Sequence, residues 1–143
     1  MTNFYYNFDA FMLQDKATIM QSLKTNAEMQ SAAFSNTTAV SVQVSVEGNS
    51  NGTGNVYVIE GTQKKSLTLG VGRTYTFTHP TNHPLKFSTT SDGTHGSGSE
   101  YTTGVNTSTS GSTVIEVTSS TPTTLYYYCS IHQGMGGTIT ISN

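Results

Sequence analysis

From Thr38 onward the apolar positions recur at every second residue. Val40, Val42, Val44 and Val46 alternate with Ser41, Gln43 and Ser45, the pattern of a strand buried on one face, because successive side chains of an extended chain point to opposite sides. Residues 48–54 (Gly-Asn-Ser-Asn-Gly-Thr-Gly) then form a turn, and further strand-like runs follow at 55–60, 66–71, 74–79, 84–89, 113–118, 124–129 and 138–142. About eight short strands joined by Gly-rich connections predict an all-β fold. No helical run lies between them to carry parallel crossovers, so the pattern predicts an antiparallel Greek-key β-sandwich. Residues 91–105 are the one long connection, and loops of that length in compact domains tend to be functional. This loop is expected to be exposed or to contact another subunit.

Residues 1–37 follow a different pattern, rich in Met and Ala and free of Gly and Pro. Between residues 10 and 34, Met12, Ile19, Leu23 and Ala27 fall on one helical stripe. Phe4, Tyr5, Tyr6, Phe8 and Phe11 precede it, five aromatics within eight residues, and such an apolar load needs cover. The chain therefore divides into a partly helical aromatic arm (1–37) and a sandwich (38–143). The arm is expected to pack either on its own sandwich or on a neighbouring subunit.

Composition narrows the function. The 143 residues suit one domain, and with 10% charged residues and a net charge of −2 no basic stripe exists to neutralise phosphates, which excludes electrostatic nucleic-acid binding. By count, Ser and Thr supply 44 residues, favouring strands and turns. No apolar run reaches the ~18 residues of a membrane span. The N-terminus has no basic region followed by an apolar core, so no export signal is expected. Enzyme chemistry finds no foothold either: there is no nucleophile elbow, and the eight acidic residues form no close pair suited to acid/base work. The Gly-x-Gly at Gly96 and Gly98 opens no helix and is not a nucleotide fingerprint. Three glycosylation-type sequons match the number expected by chance in so hydroxyl-rich a chain.

The single Cys rules out an intrachain disulfide framework and leaves a thiol that is inert, reactive or a ligand. Its surroundings read Tyr126-Tyr127-Tyr128-Cys129-Ser130-Ile131-His132-Gln133-Gly134-Met135-Gly136-Gly137, which places thiol, imidazole and thioether at Cys-x2-His-x2-Met. A trigonal His2Cys copper site with a long axial Met needs those donors plus a second His. His83, at the start of a predicted strand, supplies it if the two strands are neighbours. A zinc site of His79, His83, His132 and Cys129 is an alternative, and His95 is a further imidazole. Cys129 and Met135 could otherwise be core filler.

Asn82-His83-Pro84-x-x-Phe87 together with Tyr-Tyr-Cys129-x2-His132-x2-Met135-Gly-Gly resembles the cupredoxin family, with a ligand loop similar to its short, amicyanin-like branch. The resemblance covers about residues 55–143. It implies a Greek-key sandwich, copper as cofactor, and His83, Cys129, His132 and Met135 as ligands, with Asn82 and the backbone around Pro84 tuning the thiolate. The stretch from His83 to Gly98, followed by Glu100-Tyr-Thr-Thr-Gly-Val105, also resembles cupredoxin-like modules encoded among structural genes of marine tailed phages, including those of cyanobacteria.

That second resemblance, with the arm, implies a non-enzymatic virion structural protein: a capsid decoration (cement) protein. It would dock through Phe4, Tyr5, Tyr6, Phe8, Phe11, Met12, Ile19 and Leu23 on the major capsid protein or other virion subunits in multiple copies, without nucleic acid or membrane. Made in the host cytoplasm, it would reside in the virion. A soluble type 1 copper electron-transfer protein of the periplasm is the first alternative expectation, and a tail or fibre component the second.

Overall fold

The computed structural model describes residues 38–143. The arm expected over residues 1–37, with Phe4, Tyr5, Tyr6, Phe8, Phe11, Met12, Ile19 and Leu23, lies outside the described residues. The strands are β1 (Thr38–Gly48), β2 (Asn55–Ile59), β3 (Thr62–Gln63), β4 (Leu67–Gly70), β5 (Arg73–Thr78), β6 (Leu85–Ser88), β7 (Glu100–Tyr101), β8 (Val105–Asn106), β9 (Ser112–Glu116), β10 (Thr124–Cys129) and β11 (Gly137–Ser142). The eight runs of alternating or apolar residues are all strands, and three two-residue strands, β3, β7 and β8, extend the edges. A 3₁₀ turn at Gly93–Gly96 is the helical element among the described residues.

The strands form two sheets, ordered β3-β2-β1-β5-β9-β8 and β4-β11-β10-β6-β7, in a β-sandwich. Two pairs depart from the antiparallel expectation: β1 runs parallel to β5, and β4 to β11. A parallel pair needs a long crossover. Here strands supply it without any helix: between β1 and β5 the chain makes the β2–β3 hairpin, crosses to the other sheet as β4, and returns. The sequence from residue 38 shows no helical run, but it does not show which strands the chain visits on the way.

Alternation along β1 buries Val44 and half-buries Val40, Val42 and Val46 while Ser41, Gln43 and Ser45 face solvent. The inner faces meet through aromatics. Phe77 of β5 and Phe87 of β6, both fully buried, cross edge-on with ring centroids 5.3 Å apart, and Tyr57 of β2 meets Tyr127 of β10 at 6.1 Å. Each such pair adds about 0.5–1.5 kcal/mol beyond its area burial and fixes one sheet against the other.

The register between β10 and β6 places the chemistry. Cys129 pairs with Leu85 and Tyr127 with Phe87, so the end of β10 lies beside the start of β6, two residues after His83. Leu125, Tyr127 and Cys129 share the core face, and a slip of one residue would turn the thiol outward. The chain leaves β10 at Cys129, passes His132, returns inward at Met135 and enters β11.

Candidate metal centre

Strand pairing brings together what the sequence separates by 46 residues. One nitrogen each of His83 and His132 and the Cys129 sulfur all lie within 4.8 Å of one another. The sulfur is 3.9 Å from His83 Nδ1 and 3.7 Å from His132 Nδ1. The two imidazole centroids are 4.8 Å apart, with a 46° tilt. Among the described residues this is the one group of three such donors. Cys129 and His83 are buried, and His132 is exposed. Met135 is fully buried in the same core cluster as Cys129.

The distances test the fit. Metal–sulfur and metal–nitrogen bonds of about 2.3 and 2.0–2.1 Å, the lengths known for zinc, put sulfur and nitrogen roughly 3.6–3.8 Å apart at angles between tetrahedral and trigonal. The two observed separations serve a shared ion better than a direct hydrogen bond. Two imidazoles, a thiolate and a neighbouring thioether are the donor set of a type 1 copper site, and these residues fit it. Burial, and then the adjacent His132 ring, hold His83 below the ordinary histidine range. Its nitrogen lone pair is therefore free for a metal, which binds only the neutral ring.

The zinc alternative falls on His79. That ring is buried, with Nδ1 3.0 Å from the Pro80 carbonyl and Nε2 3.0 Å from Thr113 Oγ1, and it is absent from the cluster. Both nitrogens serve the sandwich, since the Thr113 hydroxyl donates in turn to the Leu85 carbonyl.

Backbone contacts fix the ligand-bearing segments. The Ser130 N–H donates to the Pro84 carbonyl at 3.0 Å, tying the residue after Cys129 to the residue after His83, so the backbone around Pro84 does brace the site. Asn82 does not: it is exposed and forms no hydrogen bond among the described residues. The loop over residues 91–105 is largely exposed, as expected, and its first part, residues 91–98, also clamps the site. Both Asp92 carboxylate oxygens accept from the Gly134 N–H at 3.0 Å. His95 Nε2 lies 2.8 Å from the Cys129 carbonyl and donates to it, since a carbonyl only accepts. The turn lies on Tyr128, where a Cβ on Gly93 would meet the ring at 2.4 Å.

Tyr57 was not singled out by sequence. Its hydroxyl donates to the His83 carbonyl at 2.7 Å, and its own N–H donates to the Met135 carbonyl at 2.9 Å. Burial pushes the phenol well above the ordinary tyrosine range, and the Cys129 sulfur beside it adds to the shift. Nothing in the pattern of β2 sets Tyr57 apart from a core aromatic.

The β-sandwich thus carries a donor set that fits a type 1 copper site. No protein-family model and no curated protein match the chain. Among solved structures it is similar to rusticyanin from Thiobacillus ferrooxidans at 1.27 Å resolution, at 17% identity over 71% of this chain and 77% of that one, with a TM-score of 0.39. It is also similar to reduced rusticyanin at 1.9 Å (18% identity, 71% and 79% covered, TM-score 0.36) and to a 2.1 Å structure of the copper protein rusticyanin (16%, 81% and 94%, TM-score 0.37).

The site corrects the functional expectation. A capsid decoration protein, or a tail or fibre part, gains nothing from a buried free thiol faced by two imidazoles at ligand distance, and the convergence of His83, Cys129 and His132 overturns that reading in favour of the copper protein.

Proposed function

We propose that the protein is a type 1 copper electron-transfer protein, in which His83, Cys129 and His132 would hold the ion, with Met135 as a weaker further donor. The observation that carries this reading is the approach of one sulfur and two imidazole nitrogens to within 4.8 Å of one another. Copper supplies a one-electron centre. The chain does the rest. The buried thiol and His83 ring are held by paired strands and backbone hydrogen bonds, so the donors have little freedom to rearrange when charge changes. His132 alone among the donors reaches solvent, beside Ile131, which is 57% exposed, and a shallow cleft there is lined also by Gly54, Asn55, His95 and Gln133. This uncharged rim is where electrons pass, and the partner it suits is weakly apolar. Four donors leave no open substrate position, so the protein is a carrier and not an enzyme. The periplasm is the compartment that goes with this role.

Cu(II) titration tests the reading. Purified protein should turn intensely blue through thiolate-to-copper charge transfer at one equivalent, and Cys129→Ser should abolish the colour while the fold persists. A colourless protein whose thiol stays free under Cu(II) would overturn it.

A further inference from the structure

The four donors all come from the β4-β11-β10-β6-β7 sheet or the loops at its strand ends, yet one residue of the other sheet touches their supports. Tyr57, in β2, reaches His83 through its hydroxyl, 2.7 Å from the carbonyl oxygen, and Met135 through its backbone N–H, 2.9 Å from that carbonyl. Its ring packs on Tyr127, two residues before the thiol, with centroids 6.1 Å apart. Tyr57 is fully buried, so water cannot replace either hydrogen bond. A carbonyl left unpaired there carries its full desolvation cost.

We propose that Tyr57 is a positioning residue of the metal centre, a cross-sheet strut that sets the spacing between the His83 and Met135 segments with Cys129 held between them. The inference rests on the copper reading for its consequence, but not for its geometry. Tyr127 provides the natural contrast. It is an equally buried phenol in the same aromatic pair, and its hydroxyl donates to the Lys65 carbonyl at 2.8 Å, away from the donors. Removing the Tyr57 oxygen should loosen the site, whereas removing the Tyr127 oxygen should loosen only the sandwich.

The experiment compares Tyr57→Phe and Tyr127→Phe in the full chain. Both should fold with lowered unfolding temperatures. Tyr57→Phe should bind copper roughly 10- to 100-fold more weakly, the loss expected for an outer-shell partner, with a displaced charge-transfer band. Tyr127→Phe should keep the wild-type affinity and spectrum. In the metal-free proteins, iodoacetamide should alkylate Cys129 roughly five- to tenfold faster in Tyr57→Phe than in Tyr127→Phe, the opening gained by losing one buried hydrogen bond. In the wild type, amide exchange at Tyr57 should slow on copper loading, because its N–H is bonded to the Met135 carbonyl. Equal affinity, spectrum and alkylation in the two variants would overturn the inference, as would a Tyr57 amide indifferent to copper. A wild-type protein that binds no copper would defeat the functional reading instead, and the alkylation rates would still decide the role of Tyr57.

Discussion

Met135 fills the core and also offers a thioether to the metal, and substitution separates the two roles. The side chain is fully buried within a cluster that includes Tyr57, Tyr127 and Cys129. Met135→Ala deletes most of a packed side chain and leaves a cavity, at a cost of about 2–5 kcal/mol. In a domain of roughly 100 residues each kcal/mol moves the midpoint by about 4–8 °C, so thermal unfolding of the metal-free variant should fall by at least ~8 °C. Met135→Leu keeps the volume and the apolar character and should cost less than about 1.5 kcal/mol. The thioether is gone in both. If Met135 is the axial donor, Met135→Leu in the copper-loaded protein should shift the charge-transfer spectrum. It should also raise the reduction potential, because a metal with one donor fewer holds its higher charge less well. Calorimetry of the metal-free proteins and voltammetry of the loaded ones give the two numbers. A Met135→Leu protein with wild-type spectrum and potential, beside a Met135→Ala protein with the full stability loss, would reduce Met135 to core filler.

Other consequences can be measured in the same preparations. Asp92→Asn weakens the anchor on the Gly134 N–H by removing its charge, and His95→Ala removes the contact to the Cys129 carbonyl. Each half-exposed bond is worth about 1 kcal/mol, and each variant should release copper to a chelator severalfold faster with little change in unfolding temperature. Gly93→Ala must displace the Tyr128 ring, 2.4 Å from the new methyl, at a backbone φ of +55°; it should destabilise the metal-free protein by more than 1 kcal/mol on cavity-free strain grounds of about 1–3 kcal/mol. His83 gives the pH dependence. Its folded form is held below the ordinary histidine range, so the unfolded chain takes up the proton first. Metal-free stability should therefore be complete above about pH 6.5 and decline as pH falls through the lowered folded value. His83→Gln should remove that part of the slope in urea titrations at pH 5 and 7.

The strands were legible because a period of two needs only one buried face to write it, as β1 does with its four valines. The donors were legible for a related reason. Cys129, His132 and Met135 are close in sequence, and the register that brings in His83 follows once β6 and β10 are neighbours. The parallel pairs were hidden, since nothing in the side chains of β1 records that the chain visits the other sheet before β5. Asn82 was an inherited expectation and faces solvent. The bracing by Tyr57, Asp92 and His95 was hidden as well, because it depends on distances across sheets and loops, and a buried Tyr on a strand looks like any core aromatic. The virion reading leaned on an arm that lies outside the described residues and on a likeness of loop sequence, and it gave too little weight to the geometry a thiol and two imidazoles would adopt.

The separation of His83 from the other three donors sets an order of assembly. During synthesis His83 emerges with the start of β6, while the thiol, the second donor imidazole and the thioether follow only at residues 129–135, from the end of the tenth strand onward. Until then the chain offers imidazoles at His79, His83 and His95 but no thiol to join them. The thiol meets His83 only once β10 has paired with β6, so the three-donor cluster is a property of the folded sandwich and not of any local stretch of chain.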